Sequence, residues 1–414
     1  MSAARPRITV LVHSTNAGGV QKRAIAIANG LARSSHDVEF LAVRRDGSPG
    51  SGLSPGIKLV HLLSESPPWY WPRLLHGLRE LRAHLARSRP DVLLAASTNV
   101  HLIATLAANR LSPRPAIVLR ASRHPVRQIP WSRPVKRLWD FCRRRIDRWL
   151  YNKADLVVAV SQDVGNALRG LLADPGRCVS LPNPVVSEEF LQSLQHRPQH
   201  RWLDDKVPVV LAVGRLVWQK GFDCLLSAFA RVIEQHEARL IILGEGNQRR
   251  KLERQVEALG IGEFVDMPGH VEEVGPCMAR ARVLVSSSNF EGSPGVLIEA
   301  LAAGCPVVAT DCPGGSAELL RGRDAGLLVP VGDTDALTRC IASAMTRRWE
   351  RQKLRTIATP YLERRATARY AEVLGSLARR TINEPAAAAR PRPGSPRTAS
   401  ARGRSARPPV RIRG

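Results

Sequence analysis

No stretch of the 414-residue chain reaches the roughly 18 uncharged apolar residues that a helix needs to cross a bilayer. The best candidate, residues 92–108, is broken by Ser97, Thr98, Asn99 and His101. The N-terminus also lacks the apolar core of an export signal: residues 1–7 lead straight into a strand-like run, so export is not expected. Cysteine is sparse and unpatterned. Seven cysteines, an odd number with no Cys-x-x-Cys pair, exclude a disulfide framework and a zinc ribbon and fit reduced thiols in a cytoplasm. No Asp-x-Asp metal motif stands ahead of the second half, since Asp204-Asp205 lacks the spacing. Acid is short as well: 36 Asp and Glu against 62 Lys and Arg leave a formal charge of +26, which narrows the partners to anionic ones. Arginine far outnumbers lysine among those cations.

What is present is apolar patterning on the scale of two ordinary domains. Residues 7–13 read as a strand, Asn16-Ala17-Gly18-Gly19 as a glycine turn, and residues 20–33 as an apolar-periodic helix, the opening of a doubly wound sheet. Strands at 36–43, 57–62, 91–95 and 116–120 alternate with helices at 72–87 and 99–109. A strand at 155–160 with a Ser161-Gln162-Asp163 cap and another at 177–181 complete a first domain. A second series has strands at 207–213, 239–243, 264–267, 283–285, 307–310 and 326–329, with helices at 222–236, 247–259 and 334–344. Such alternation predicts α/β architecture, with parallel sheets covered by helices on both faces.

The most informative stretch is Ser286-Ser287-Ser288-Asn289-Phe290-Glu291-Gly292-Ser293-Pro294-Gly295-Val296-Leu297-Ile298-Glu299-Ala300, which follows an apolar strand and opens a helix. Ser293 suits a cap and Pro294 the first helical position, while Gly304 and Pro306 end the helix. Glu291 then lies in the loop and Glu299 in the helix. Free N–H groups and the helix dipole at that loop favour a phosphate. The two carboxylates flanking such an anion site suit hydroxyls, which donate to carboxylate oxygens. A ligand with phosphates between two sets of hydroxyls is a nucleotide sugar, with Glu299 on the ribose and Glu291 on the sugar ring.

This stretch resembles the Glu-Gly-x-Pro-x-Val-Leu-x-Glu-Ala signature of the family 4 retaining glycosyltransferases. Upstream, Gly214-Arg215-Leu216-Val217-Trp218-Gln219-Lys220-Gly221 resembles their Gly-Arg-Leu-x-x-x-Lys-Gly motif, in which both cations hold the diphosphate. Gly18-Gly19 resembles their Gly-Gly loop, Gly244 their glycine turn near the nucleotide, and Gly269-His270-Val271 the segment along the base. The resemblance runs from about residue 7 to residue 380 and implies the GT-B fold: two Rossmann-like doubly wound domains facing a cleft. The divisions expected are an acceptor-side domain at 1–190, a linker at 191–206 and a nucleotide-sugar-binding domain at 207–345. Helices at 346–382 cross back to the first domain, and a disordered basic tail occupies 383–414.

The resemblance implies catalytic roles for Glu291, Arg215 and Lys220, and a sugar-side histidine that falls at about His124, with His13 as a second candidate. Donor-binding roles fall to Gly18, Gly19, Gly244, Val271, Gly295, Val296 and Glu299. Ser293 and Gly295 stand where the family often has a larger residue and an Asn, which leaves the sugar open. Departure of the sugar builds an oxocarbenium-like ring and a more negative diphosphate, and fixed cations with a helix N-terminus stabilise the latter without a metal. Retention by same-face substitution is implied, and a double displacement through Glu291 is the alternative. An inverting GT-B enzyme is another reading.

Finally, residues 125–153 interleave Trp131, Trp139 and Trp149 with arginines, and residues 67–87 place Trp69, Tyr70 and Trp71 before a basic helix with Leu74, Leu75, Leu78, Leu81 and Leu85 in one stripe. That pattern predicts contact with the anionic inner face of a cell membrane, where a lipid-linked, glycan or lipopolysaccharide-type acceptor would be met. The stripe can equally face the domain core. The same composition admits a polyanion-binding protein without activity, although no nucleic-acid motif is present.

Overall fold

The computed structural model describes residues 5–15, 18–44, 52–63, 70–122, 124–125 and 134–383, and side chains are described except at 70–75, 134–140 and 383. The basic tail from Glu384 on, Trp69 and Trp131 therefore lie outside the described residues, as do the side chains of Trp71 and Trp139.

Alternating apolar runs form strands buried on both faces. In the first domain these are β1 (Arg7–Ser14), β2 (Asp37–Arg44), β3 (Lys58–Leu63), β4 (Val92–Ala95), β5 (Ala116–Ala121), β6 (Leu156–Ala159) and β7 (Cys178–Ser180). They pair all-parallel in the order β3-β2-β1-β4-β5-β6-β7. The helices between them are α1 (Gly19–Arg33), α2 (Tyr70–Ser88), α3 (His101–Ala108), α4 (Pro134–Lys153) and α5 (Gln162–Arg169), with α6 (Glu188–Ser193) leading out. Ser161 caps α5 as its sequence predicts, its hydroxyl accepting from the Val164 N–H.

The second domain has β8 (Val209–Val213), β9 (Arg239–Leu243), β10 (Val265–Gly269), β11 (Val283–Ser286), β12 (Val307–Thr310) and β13 (Gly326–Val329). These too are parallel, in the order β10-β9-β8-β11-β12-β13. Its helices are α7 (Phe222–Val232), α8 (Arg249–Ala258), α9 (Gly275–Arg280), α10 (Gly295–Ala303), α11 (Ser316–Leu320) and α12 (Thr334–Thr346). They are followed by α13 (Arg351–Ala358) and α14 (Glu363–Asn383).

Successive strand residues point to opposite faces, so each sheet carries two cores. Leu11, Leu41, Leu93 and Ile117 pack on one face of the first sheet, and Val10, Phe40, Leu94 and Val118 on the other. The second face is closed partly by Tyr370, Leu374 and Ala378 of α14, which packs against the first domain. In each sheet the strand order reverses next to its first strand, between β1 and β4 and between β8 and β11. Ligands of open α/β sheets bind at that switch point, outside the carboxyl ends of the strands. Gly18-Gly19 lies just beyond β1, and the loops of residues 214–221 and 287–294 follow β8 and β11.

Four details differ from the sequence reading. The 191–206 stretch does not run free, because Trp202 and Leu203 are buried in the second domain's core and Arg239 lies over the Trp202 ring at 5.0 Å. The basic segment near residue 140 is a 20-residue helix, α4. The described leucines of the α2 stripe face inward: Leu81 and Leu85 are buried in the first core and Leu78 packs against it, while the side chains of Leu74 and Leu75 lie outside the described residues. Lastly, α10 begins at Gly295 with Pro294 at its N-cap and no side-chain cap bond, so Ser293 does not cap it.

Candidate active site

The loops after β8 and β11 are joined side by side. Asn289 donates its backbone N–H to the Gln219 carbonyl at 2.8 Å and its side-chain amide to the Trp218 carbonyl at 2.7 Å, while the Gln219 amide donates to the Phe290 carbonyl at 2.9 Å. The join brings Lys220 onto Glu291. Lys220 Nζ lies 2.6 Å from Glu291 Oε1, with the two side chains 18% and 9% exposed. The Ser288 hydroxyl donates to the same oxygen at 2.8 Å. A shielded lysine and carboxylate, each the other's counter-ion, form the charged centre of the site. Arg215 stands exposed two residues after β8, and among the described residues no ion-pair partner occupies its guanidinium, which leaves its planar fork open to an anion.

The loop beyond β12 closes on Glu291 from behind. Glu291 N–H donates to the Pro313 carbonyl at 2.9 Å, and Gly314 adopts φ +121° with its backbone pressed on residue 291. A Cβ on Gly314 would sit 1.7 Å from the Glu291 carbonyl oxygen, so glycine is required there by space and by conformation. Gly244 is required for a similar reason: its Cβ would meet the Gly214 carbonyl oxygen at 2.0 Å, where the ends of β8 and β9 come together. Gly244 thus lets the β9 end close against Gly214, the residue before Arg215.

The α10 N-terminus has no side-chain cap and no acidic residue in its first turn, which leaves its dipole and N–H groups to an incoming anion. Gly295 and Val296 form that turn. Glu299, one turn on, meets Arg23 of α1, with Nη2 3.2 Å from Oε1 and side chains 19% and 22% exposed. Burial pushes the Glu299 carboxyl above the ordinary carboxylate range, and Arg23, then Lys22 and Lys220, pull it back. Arg23 also donates to the Val185 carbonyl at 3.0 Å. The first turns of α1 and α10 therefore face one another, and Gly18 and Gly19 open the α1 side. A Cβ on Gly19 would meet nothing within 4 Å, so no protein neighbour demands glycine there.

His124 lies 3.7 Å from Asp163 Oδ2 at the N-terminus of α5, and the same Asp163 oxygen accepts from the Gly314 N–H at 2.9 Å. Gln162 N–H donates to Glu318 Oε2 at 2.7 Å. His124 is thereby carried to the seam between the domains, next to the loop that backs Glu291. His13 lies near the end of β1, and Val271 packs partly buried against the second core. Arg23, Asp163 and Ser288 belong to the cluster without having been singled out by sequence. Arg23 lies one turn beyond the Gly-Gly loop and Ser288 ends a serine triplet, but neither position carries a chemical signature of its own.

Two family descriptions match the chain: Glycosyltransferase Family 4 over residues 17–189 and Glycosyl transferases group 1 over residues 207–347. An uncharacterised glycosyltransferase of Methanocaldococcus jannaschii is 26% identical over 263 residues, covering 61% of this chain and 64% of the relative. The N-acetylgalactosamine-N,N'-diacetylbacillosaminyl-diphospho-undecaprenol 4-alpha-N-acetylgalactosaminyltransferase of Campylobacter jejuni is 33% identical over 189 residues, 45% of this chain and 50% of the relative. The chain thus spans less than two thirds of the length of these curated relatives. Among solved structures, Anabaena Alr3699/HepE in complex with UDP and glucose superposes with a TM-score of 0.69 at 21% identity, over 90% of this chain and 100% of that one. At that identity the likeness establishes the fold.

Proposed function

The chain belongs to the group 1, family 4 glycosyltransferases, and from that premise we propose that it moves a hexose-type sugar from a nucleotide diphosphate donor to a glycan, lipid-linked or lipopolysaccharide-type acceptor with retention of anomeric configuration. The observation that carries the reading is the Lys220–Glu291 pair beside the open Arg215 fork, set at the switch point of the second sheet. The donor's diphosphate lies against Arg215, Lys220 and the α10 N-terminus, and its ribose reaches Glu299. Positive charge fixed before the reaction stabilises the leaving diphosphate without reorganisation, each such donor contributing about 3 kcal/mol. The protein's own cations then supply what a divalent metal supplies elsewhere.

Same-face substitution is favoured over a glycosyl-enzyme at Glu291, because Oε1 is already held by Lys220 and Ser288 and is correspondingly less nucleophilic. In the same-face route the departing phosphate oxygen takes the acceptor's proton while the acceptor oxygen bonds the anomeric carbon. His124, held by Asp163, borders the sugar from the first domain. The bound UDP and glucose of the Anabaena structure and the diphospho-undecaprenol named for the Campylobacter relative support a UDP-sugar and a lipid-linked acceptor as the first substrates to try.

An anionic membrane surface on the cytoplasmic side is proposed as the place of reaction. No described helix is long and apolar enough to cross a membrane. Support for a peripheral contact comes from α4, where Phe141, Ile146 and Trp149 are 57%, 51% and 43% exposed among Arg144, Arg145 and Arg148. Failure of the protein to co-sediment with phosphatidylglycerol vesicles at low salt would remove this part of the reading.

The decisive experiment is calorimetry with UDP- and GDP-linked hexoses and N-acetylhexosamines, followed by NMR of the product anomer with and without EDTA. Selective donor binding, an unchanged anomer and indifference to chelation are expected. An inverted product or loss of turnover in EDTA refutes the corresponding part of the mechanism, and no donor binding at all refutes the transferase reading.

A further inference from the structure

We infer that Arg23, on the first domain's α1, is a positioning residue for the donor: from across the cleft it orients the Glu299 carboxylate so that its second oxygen meets the nucleotide's hydroxyls. This rests on the nucleotide-sugar reading of the cleft and adds to it a residue from the opposite domain.

The geometry is that of a tethered fork. One arm of the guanidinium, Nη1, donates to the Val185 carbonyl at 3.0 Å, which fixes the side chain to the connection between the domains. The other arm, Nη2, donates to Glu299 Oε1 at 3.2 Å. The hydrogen bond from Arg23 falls on Oε1, so Oε2 is the oxygen assigned to the ligand. With 19% and 22% of the side chains exposed, little water competes for either group. Gly295 lies beside the fork, where an added Cβ would stand 3.4 Å from Nη2, in van der Waals contact.

The chemistry explains why an arginine is needed. A ribose diol donates two hydrogen bonds, which the free oxygen of an ionised carboxylate accepts on its two lone pairs and a protonated carboxyl, with a proton of its own to donate, accepts less well. Burial works against the ionised form of Glu299, and Arg23 is the leading group opposing that effect, with Lys22 on the same helix and Lys220 on the facing loop next. Arg351 and Arg355 lie at the far end of α10, against Gly304, too far along the helix to substitute. Because Arg23 and Glu299 belong to different domains, donor affinity comes to depend on how closely the cleft is shut.

The test is calorimetric titration of the UDP-sugar that the unaltered protein binds, from about pH 5.5 to about pH 8.5, with Arg23→Met, Arg23→Lys, Glu299→Gln and the Arg23→Met/Glu299→Gln pair. Without Arg23 the Glu299 carboxyl titrates higher, so Arg23→Met should bind about tenfold or more weakly at the acid end and recover as pH rises through that carboxyl. Arg23→Lys should stay within about threefold of the unaltered protein, and in the double variant the pH dependence should vanish. If Arg23→Met does not fold, Arg23→Gln gives the same readout. Equal binding by Arg23→Met at every pH, or a loss of the same size at every pH, overturns the inference and leaves Arg23 as a tie between domains. Should the unaltered protein bind no nucleotide sugar, the transferase reading itself falls.

Discussion

Replacing Lys220 by Met separates its electrostatic support of the fold from its work on the donor. The native Nζ is 2.6 Å from Glu291 Oε1, and neither side chain is more than 18% exposed. Methionine fills the space but strands the carboxylate with one remaining side-chain donor, the Ser288 hydroxyl. Breaking a shielded pair from one side costs about 3–5 kcal/mol, and the surviving serine bond places this case near the lower end, about 3 kcal/mol. Turnover should fall by a similar free energy, about 10²–10³-fold in kcat, because the departing diphosphate loses a fixed cation. The double variant Lys220→Met/Glu291→Gln removes the stranded charge while keeping an acceptor for Ser288. Its stability should return to within about 1 kcal/mol of the native protein while turnover stays lost. Urea denaturation followed by tryptophan fluorescence, with initial rates on the donor identified by calorimetry, reads both quantities. A double variant as unstable as the single one would show that the cost is not a stranded carboxylate. Normal turnover by the single variant would remove Lys220 from the diphosphate.

Other parts of the chain give equally direct expectations. His101 is buried on α3 with Nε2 3.2 Å from the Arg120 carbonyl, and burial pushes its pKa down to about 4. The unfolded chain takes up this proton below about pH 6.5 and the native protein does not, so stability should fall by about 3 kcal/mol between about pH 6.5 and about pH 4 and level off below. That slope should flatten in His101→Gln, and an unchanged acid limb in its denaturation profile would assign the loss to other groups. Gly314→Ala, whose new Cβ would lie 1.7 Å from the Glu291 carbonyl oxygen, should cost about 3 kcal/mol and abolish turnover by displacing the Glu291 loop. Gly332→Ala is the control, since Gly332 has φ +78° with nothing within 4 Å of the new Cβ. It should cost about 1 kcal/mol in thermal denaturation and leave turnover intact. Equal effects of the two glycine substitutions on turnover would refute the role given to the close approach.

Much of the architecture was legible because parallel strands buried on both faces are continuous apolar runs. Arg239–Leu243, Val307–Thr310 and Gly326–Val329 stand where their sequences place them, and other strand ends move by a residue or two. Helix α4 was hidden by its composition, since Lys and Arg make up seven of its 20 residues and a charge-rich stretch reads as surface before it reads as helix. For α2 the spacing of the leucines established one apolar face, but periodicity is the same whether a sheet or a lipid surface covers that face. The packing of Leu81 and Leu85 beneath the first sheet gives the answer. At α10 a serine and a proline in favourable order were read as a cap, whereas the observed turn starts one residue later, with Gly295 at its first position.

The sequence by itself determined the two alternating series of strands and helices, the loops that carry Arg215, Lys220 and Glu291, the helix that carries Glu299, and the excess of positive charge. These are properties of neighbouring residues, governed by periodicity and local backbone preference over one or two turns. Only the tertiary structure decided the partners. Lys220 and Glu291 are 71 residues apart, Asp163 and Gly314 are 151 apart, and Arg23 and Glu299 are 276 apart. Each meeting depends on the order in which parallel strands pair and on how one domain closes over the other. A side chain's charge is written in the chain, but its counter-ion is chosen by distance and by exclusion of water, and both arise only when distant segments pack together.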